Sequence, residues 1–182
     1  MADYTSAVVA RLEKMAFHPV QQWTERGTIS VSENGKTYRV AFNGENESAV
    51  FQIDNEIIRK GQKCDKLLAV LFPSHAFPEK GTTVFIELKG KDISHAIDQL
   101  EAAIRNPLFM PYPKPGDHVR ARIITAGCGP KSASRLKLED ARIRFKKLYN
   151  IELRVLKNSQ LVHRYKPGVT ILVSIDTLSK QE

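Results

Sequence analysis

Cysteine is scarce in this chain: Cys64 and Cys128 are the only two among 182 residues. Thiols so few and so far apart build neither a disulfide framework nor a zinc knuckle. Long apolar runs are missing as well. No stretch approaches the ~18–20 uninterrupted apolar residues of a membrane span. The opening MADYTSAVVARLEKMAF lacks the basic start and extended apolar run of a secretory leader. The histidines, His18, His75, His95, His118 and His163, are scattered and match no metal-ligand spacing. Internal repeats and low-complexity tracts are absent too. Together these absences exclude a disulfide scaffold, a zinc module and a membrane-spanning helix. The expectation is a cytoplasmic protein with both thiols reduced and no membrane partner.

What is present favours one domain over residues 1–182, since domains commonly run roughly 100–200 residues. Hydrophobic residues make up 42% and charged residues 26%, enough apolar material for a proper core. The formal charge is +8, with a pI near 9.5. A basic balance is consistent with a polyanionic partner, nucleic acid or an anionic surface. Charge alone does not separate such a protein from a basic one that binds nothing acidic.

Periodicity places the elements. Val8, Val9, Leu12, Met15 and Ala16 recur at helical spacing, predicting a first helix over 4–17 that His18-Pro19 closes. Thr28–Ser32 and Thr37–Phe42 are β-rich and flank Asn34-Gly35, a hairpin turn signal; Asn43-Gly44 marks a second turn. Ala49–Ile53, Lys66–Phe72 and Thr83–Leu88 read as strands, the last rich in β-branched and aromatic residues. A helix follows over Ile93–Arg105, with Ile93, Ala96, Ile97, Leu100 and Ile104 on one face and Asn106-Pro107 ending it. FMPYPKPGD is a surface loop, Val119–Thr125 a strand, and GCGP a turn. From Ser132 to Asn150 two periods compete, and length without turn residues favours a helix whose stripe is Leu138, Ala141, Phe145, Leu148 and Tyr149. Ile151–Leu156 and Val169–Ile175 close the chain as strands. The sum is an α/β sandwich on a mixed sheet.

The chemistry concentrates between residues 63 and 104. Asp65 opens a hydrophobic strand, and Glu87 and Lys89 stand as E-x-K at the end of the next, just ahead of an amphipathic helix. Period-two geometry sets Glu87 and Lys89 on one face and Leu88 on the other. If the strands pair as a hairpin, Asp65 lies beside Glu87, and two carboxylates converge near a lysine. Bare carboxylates in contact are unfavourable unless a cation sits between them. Oxygen ligands without His or Cys favour Mg²⁺ or Mn²⁺ over zinc. A hard cation there would polarise a phosphodiester and lower the pKa of a bound water. The lysine would steady charge building on phosphorus.

Cys64-Asp65, a spacer, then Ile86-Glu87-Leu88-Lys89 ahead of a helix resembles the motif of the PD-(D/E)XK nuclease superfamily, which includes restriction endonucleases and archaeal Holliday junction resolvases. The resemblance covers roughly residues 48–125, with Cys64 standing where the family name has proline. It implies a restriction-endonuclease-like αβββαβ core, a mixed sheet flanked by helices, here with an added N-terminal β-hairpin and C-terminal αββ elements. It further implies Asp65 and Glu87 as ligands of Mg²⁺ (or Mn²⁺), Lys89 as catalytic, and Gln99 as the helix glutamine some members carry. Glu13, or less favourably Glu56, would be the first-helix acid. The implied activity is metal-dependent hydrolysis of phosphodiesters, DNA ahead of RNA. A homodimer is compatible with it, and the alternative is a non-catalytic nucleic-acid-binding module of the same fold.

Plainer readings stand beside these. E-x-K alone is equally an exposed ion pair worth ~0–1 kcal/mol, and Gln99 equally a polar residue flanking a helix stripe. Cys64 reads as a small core residue, and Asp92 and Ser94 as helix caps. The cations Lys131, Arg135, Lys137, Arg142, Arg144, Lys146 and Lys147 lie off the apolar stripe of their helix. They form either a solvated face or a phosphate-contacting one. Neither a recognition helix nor an aromatic base-stacking motif is evident, so any nucleic acid would be held by its backbone.

Overall fold

Two of the strands are apolar along their whole length, KLLAVLF and TTVFIEL, and such runs belong to strands covered on both faces. That is how they sit. The computed structural model describes residues 12–25, 27–43, 46–72, 80–89, 92–109, 118–125, 132–157 and 176–179. In chain order these form β1 (Gln21–Glu25), β2 (Thr28–Glu33), β3 (Lys36–Asn43), β4 (Glu47–Gln52), β5 (Lys66–Phe72), β6 (Lys80–Leu88), α1 (Ile93–Ile104), β7 (His118–Thr125), α2 (Ser132–Tyr149), β8 (Glu152–Lys157) and β9 (Asp176–Ser179).

The six-stranded sheet has the order β1-β4-β5-β6-β7-β8, and β2-β3-β9 form a smaller sheet. β4, β5 and β6 run antiparallel in sequence, with Phe51 opposite Leu67 and Leu67 opposite Phe85. α1 then crosses over to bring β7 parallel to β6, and α2 does the same for β8 beside β7. One face of the sheet (Phe51, Leu67, Phe85, Ala121, Ile123, Leu153) packs against the apolar stripes of α1 and α2. The other face (Val50, Leu68, Val84, Ile86, Ile124) packs against Ile29, Val31, Tyr38 and Val40 of the β2–β3 hairpin. The protein is thus a mixed α/β structure, a strand-dominated sheet with helices on one side and a small sheet on the other.

Local chemistry explains the joints. Asn34 (φ 47°) and Gly35 (φ 73°) both take the left-handed conformation that a two-residue hairpin turn of primed type requires. Asp92 caps α1, its carboxylate accepting from His95 N at 3.0 Å. Asn150, also left-handed at φ 53°, ends α2. The two sheets are clasped by a buried polar group on the hairpin side. Asp176 Oδ2 accepts from Arg122 Nε at 2.5 Å and Tyr38 Oη at 2.7 Å, and Arg122 also donates to Glu152 Oε2 at 3.0 Å.

Several expectations change. The first helix ends before His18-Pro19: helical residues stop at 14 and Ala16 turns left-handed at φ 62°. Phe17 N donates to Leu12 O at 3.0 Å and Ala16 N to Glu13 O at 2.9 Å, a Schellman closure that needs no proline. β1 was not expected, because QQWTE carries no apolar alternation; it is an edge strand, mostly exposed. Leu148 does not belong to the α2 stripe. It is 61% exposed, whereas Leu138, Ala141 and Phe145 are buried, since a helix flanked on one side by the sheet covers only a narrow arc. The strand expected at 169–175 and the Gly44 and GCGP turns lie outside the described residues.

Candidate active site

The registers of the antiparallel strands bring the chemistry together at one end of the sheet. Lys66 pairs with Ile86, so one step further Asp65 faces Glu87. Asp65 is fixed by its backbone and its side chain at once. Its N–H donates to Ile86 O at 3.1 Å, and its carbonyl accepts from Ile53 N at 3.0 Å and Asp54 N at 3.3 Å. Its Oδ2 accepts from Leu88 N at 2.6 Å.

Glu87 follows the alternation of β6. Phe85 packs on the helix side and Leu88 on the hairpin side, which puts Glu87 under α1. Only 1% of Glu87 is exposed. Its Oε1 lies 3.8 Å from Lys89 Nζ, and its Oε2 is buried with no hydrogen-bond partner among the described residues. Burial pushes its pKa up to about 8; the Asp65 carboxylate raises it further and Lys89 only partly offsets this. Burial also raises Asp65, against the Leu88 N–H that favours its ionised form, while Glu33 and Asp54 add to the rise.

Gln99, one turn and a half into α1, ties the cation to the loop. Lys89 Nζ donates to Gln99 Oε1 at 2.8 Å, and Gln99 Nε2 donates to Lys63 O at 3.0 Å. The amide therefore orients the ammonium and anchors the segment leading into Asp65. Asp65, Glu87, Lys89 and Gln99 are brought together.

The sequence reading missed Asp54 and Lys63. Asp54 Oδ1 pairs with Lys63 Nζ at 3.0 Å, and Asp54 raises the pKa of both site carboxylates. The signal was an acid just past the strand Ala49–Ile53. Only the β4–β5 register, with Gln52 opposite Lys66, carries it to the site. Glu13 is not gathered with the others: its Oε1 accepts from Trp23 Nε1 at 3.0 Å on the exposed surface. Glu56 is exposed in the turn after β4. Cys64 is fully buried, and burial, then Glu87 and Asp65, push its thiol well up, so it is a core residue and no nucleophile.

Among the described residues no group of three or more His, Cys, Asp or Glu is placed to hold a metal. Mg²⁺, however, is commonly held by one or two carboxylates, its other positions filled by water and substrate phosphate. Asp65 and Glu87 fit that pattern, and the unpartnered Glu87 Oε2 is the atom such a cation would satisfy.

The cations of α2 do not form one face. Arg144 turns to Glu101 on α1, donating through Nε at 3.0 Å and Nη2 at 2.7 Å. Arg142 pairs with Glu139 at 2.6 Å, and Lys146 donates to Asn150 Oδ1 at 2.7 Å. Arg135, Lys137 and Lys147 are exposed; Lys137 lines a shallow groove between the helices with Ser94, Ile97 and Asp98. Lys131 lies outside the described residues.

No family model, no curated protein and no solved structure matches the chain. Among the described residues no helix is long and apolar enough to cross a membrane.

Proposed function

We propose that the protein is a metal-dependent nuclease that hydrolyses phosphodiesters, of DNA ahead of RNA, at Asp65, Glu87 and Lys89. The observation that carries this reading is the buried Glu87 Oε2, left without a protein partner beside a second carboxylate and a positioned lysine. Burying a carboxylate oxygen unpaired is costly, and a site shaped to receive a cation and a phosphate explains the cost. The element order supports it: a helix end, the antiparallel β4-β5-β6, then α1 and a parallel β7 follow the αβββαβ order of a restriction-endonuclease-like core. β1 and the β2–β3 hairpin are then an insertion after the first helix, and α2-β8 an extension. A cytoplasmic location with reduced thiols accords with this reading.

Each residue has a task. Asp65 and Glu87 would hold Mg²⁺ or Mn²⁺, which supplies Lewis acidity towards the phosphodiester and acidifies water. Glu87 must lose its proton to serve as a ligand, so a pKa of about 8 makes site assembly favourable towards alkaline pH. Lys89, held by Gln99, donates to a phosphate oxygen as negative charge accumulates. Arg135 and Lys137 extend the same end of the molecule towards the nucleic-acid backbone.

A second reading, a non-catalytic nucleic-acid-binding module, has one observation in its favour: no third ligating group joins Asp65 and Glu87 among the described residues. Cleavage of labelled DNA and RNA, in Mg²⁺ or Mn²⁺ against EDTA, separates the two. We expect metal-dependent cleavage that falls about 10²–10³-fold in Lys89→Ala. Salt-sensitive binding with no cleavage would establish the module in its place.

A further inference from the structure

The end of the six-stranded sheet away from Asp65 and Glu87 carries a second cluster of charge. There β7 and β8 begin beside the last turns of α2, and a groove opens between them. Its lining includes Arg120, Arg142, Lys146, Glu152 and Arg154. Thr82 pairs with His118 at this end, and from Thr82 to Glu87 the strand rises roughly 16 Å, at ~3.3 Å per residue. The groove is thus separate from the candidate active site.

Arg120 distinguishes it from an ordinary basic surface. This residue is only 9% exposed, yet its guanidinium makes no hydrogen bond or ion pair with any described residue. Arginine is rarely buried unless paired. Its neighbour Arg122 shows the usual solution, with Asp176 at 2.5 Å, Glu152 at 3.0 Å and the carbonyls of Ala121 and Glu152 at 3.1 Å. Those carboxylates are already committed. Asp176 serves Arg122 and Tyr38, and Glu152 serves Arg122 and Arg154. On the α2 side Lys146 has only the neutral Asn150 amide as partner. Glu152 is the one carboxylate among the lining residues.

From this arrangement we infer that the groove binds a phosphate group, whose oxygens take the free donors of Arg120 and Lys146. The forked guanidinium matches two oxygens of a tetrahedral oxyanion, and the ammonium supplies a point charge from the opposite wall. Because the groove is open, the phosphate can belong to a longer molecule. Its source is either the backbone of a nucleic acid or a small phosphorylated compound. The inference does not depend on hydrolysis at Glu87.

The test measures two probes in EDTA, pyrophosphate by calorimetry and a labelled DNA duplex by anisotropy. Each is run on the wild type, Arg120→Gln and Lys146→Ala. Arg120→Gln alters a buried side chain and Lys146→Ala an exposed one, so the second reports even if the first disturbs folding. Lys36→Ala, a cation removed from the β2–β3 turn, controls for bulk charge. At least one probe should bind, and Lys146→Ala should weaken it about tenfold, the worth of one charge-assisted hydrogen bond. An effect on pyrophosphate assigns a small phosphorylated ligand, and an effect on DNA alone assigns the backbone. Absence of binding by both probes, wild-type affinity in Lys146→Ala, or equal weakening in Lys36→Ala would overturn the inference.

Discussion

Replacing Glu87 by glutamine removes a titrating proton and little else, since the amide keeps the shape and most of the volume of the acid. In the folded protein the Glu87 carboxyl titrates at about 8, against an ordinary 4.5. Because the folded value is the higher, its stabilising contribution is complete below about pH 4.5 and disappears as the pH rises through about 8. Each pH unit between the two values is worth about 1.4 kcal/mol, which sets a ceiling of about 5 kcal/mol. Relaxation and water entry lower such figures, and we expect about 2–3 kcal/mol. The assay is urea unfolding in EDTA at about pH 5, 7 and 9. Wild type should lose stability relative to Glu87→Gln across this range, the two being closest at the acid end. Mg²⁺ should then restore wild type at the alkaline end by mass action and leave the glutamine variant unmoved. Parallel pH profiles for the two proteins in EDTA would refute the burial argument. A difference between them without a Mg²⁺ effect would refute the metal site alone.

Three further outcomes are expected. Gln99→Ala should lower cleavage about tenfold, because Lys89 loses the acceptor at 2.8 Å that holds its ammonium; steady-state kinetics should place the loss in kcat, and an unchanged kcat would make Gln99 a surface amide. Asp176→Ala strands Arg122 and Tyr38 in the clasp between the sheets and should cost about 3–5 kcal/mol by urea titration. Arg122 holds the Asp176 pKa below the ordinary carboxylate value despite burial, so this stability is present at neutral pH and fades as pH falls through the folded pKa; the variant should show a flatter acid limb. Gly35→Ala forces a Cβ into a left-handed turn at φ +73° and should lower stability by about 1–2 kcal/mol, whereas thermal melts within error of wild type would mean that the turn rearranges.

The sequence by itself determined the elements whose identity depends on local chemistry. The hairpin came from Asn34-Gly35, α1 from its apolar stripe and β6 from TTVFIEL. The acid at the head of β5 and the E-x-K at the tail of β6 were legible as a candidate constellation, since alternation alone sets Glu87 and Lys89 on one face. Register was not legible. It took pairing across β4, β5 and β6 to bring Asp54 and Lys63 to Asp65, and the packing of α1 to bring Gln99 to Lys89. The edge strand β1 was invisible because backbone pairing, and no apolar pattern, makes it a strand. The cations of α2 looked equivalent in sequence, yet tertiary contacts gave Arg144 to Glu101 and sent Arg142 and Lys146 to the far groove. Arg120 and Arg122 sit two residues apart on one strand face, and only the fold pairs one with Asp176 and leaves the other without a carboxylate. Local patterns depend on neighbours along the chain, whereas the charge state and availability of a side chain depend on which distant groups are buried beside it.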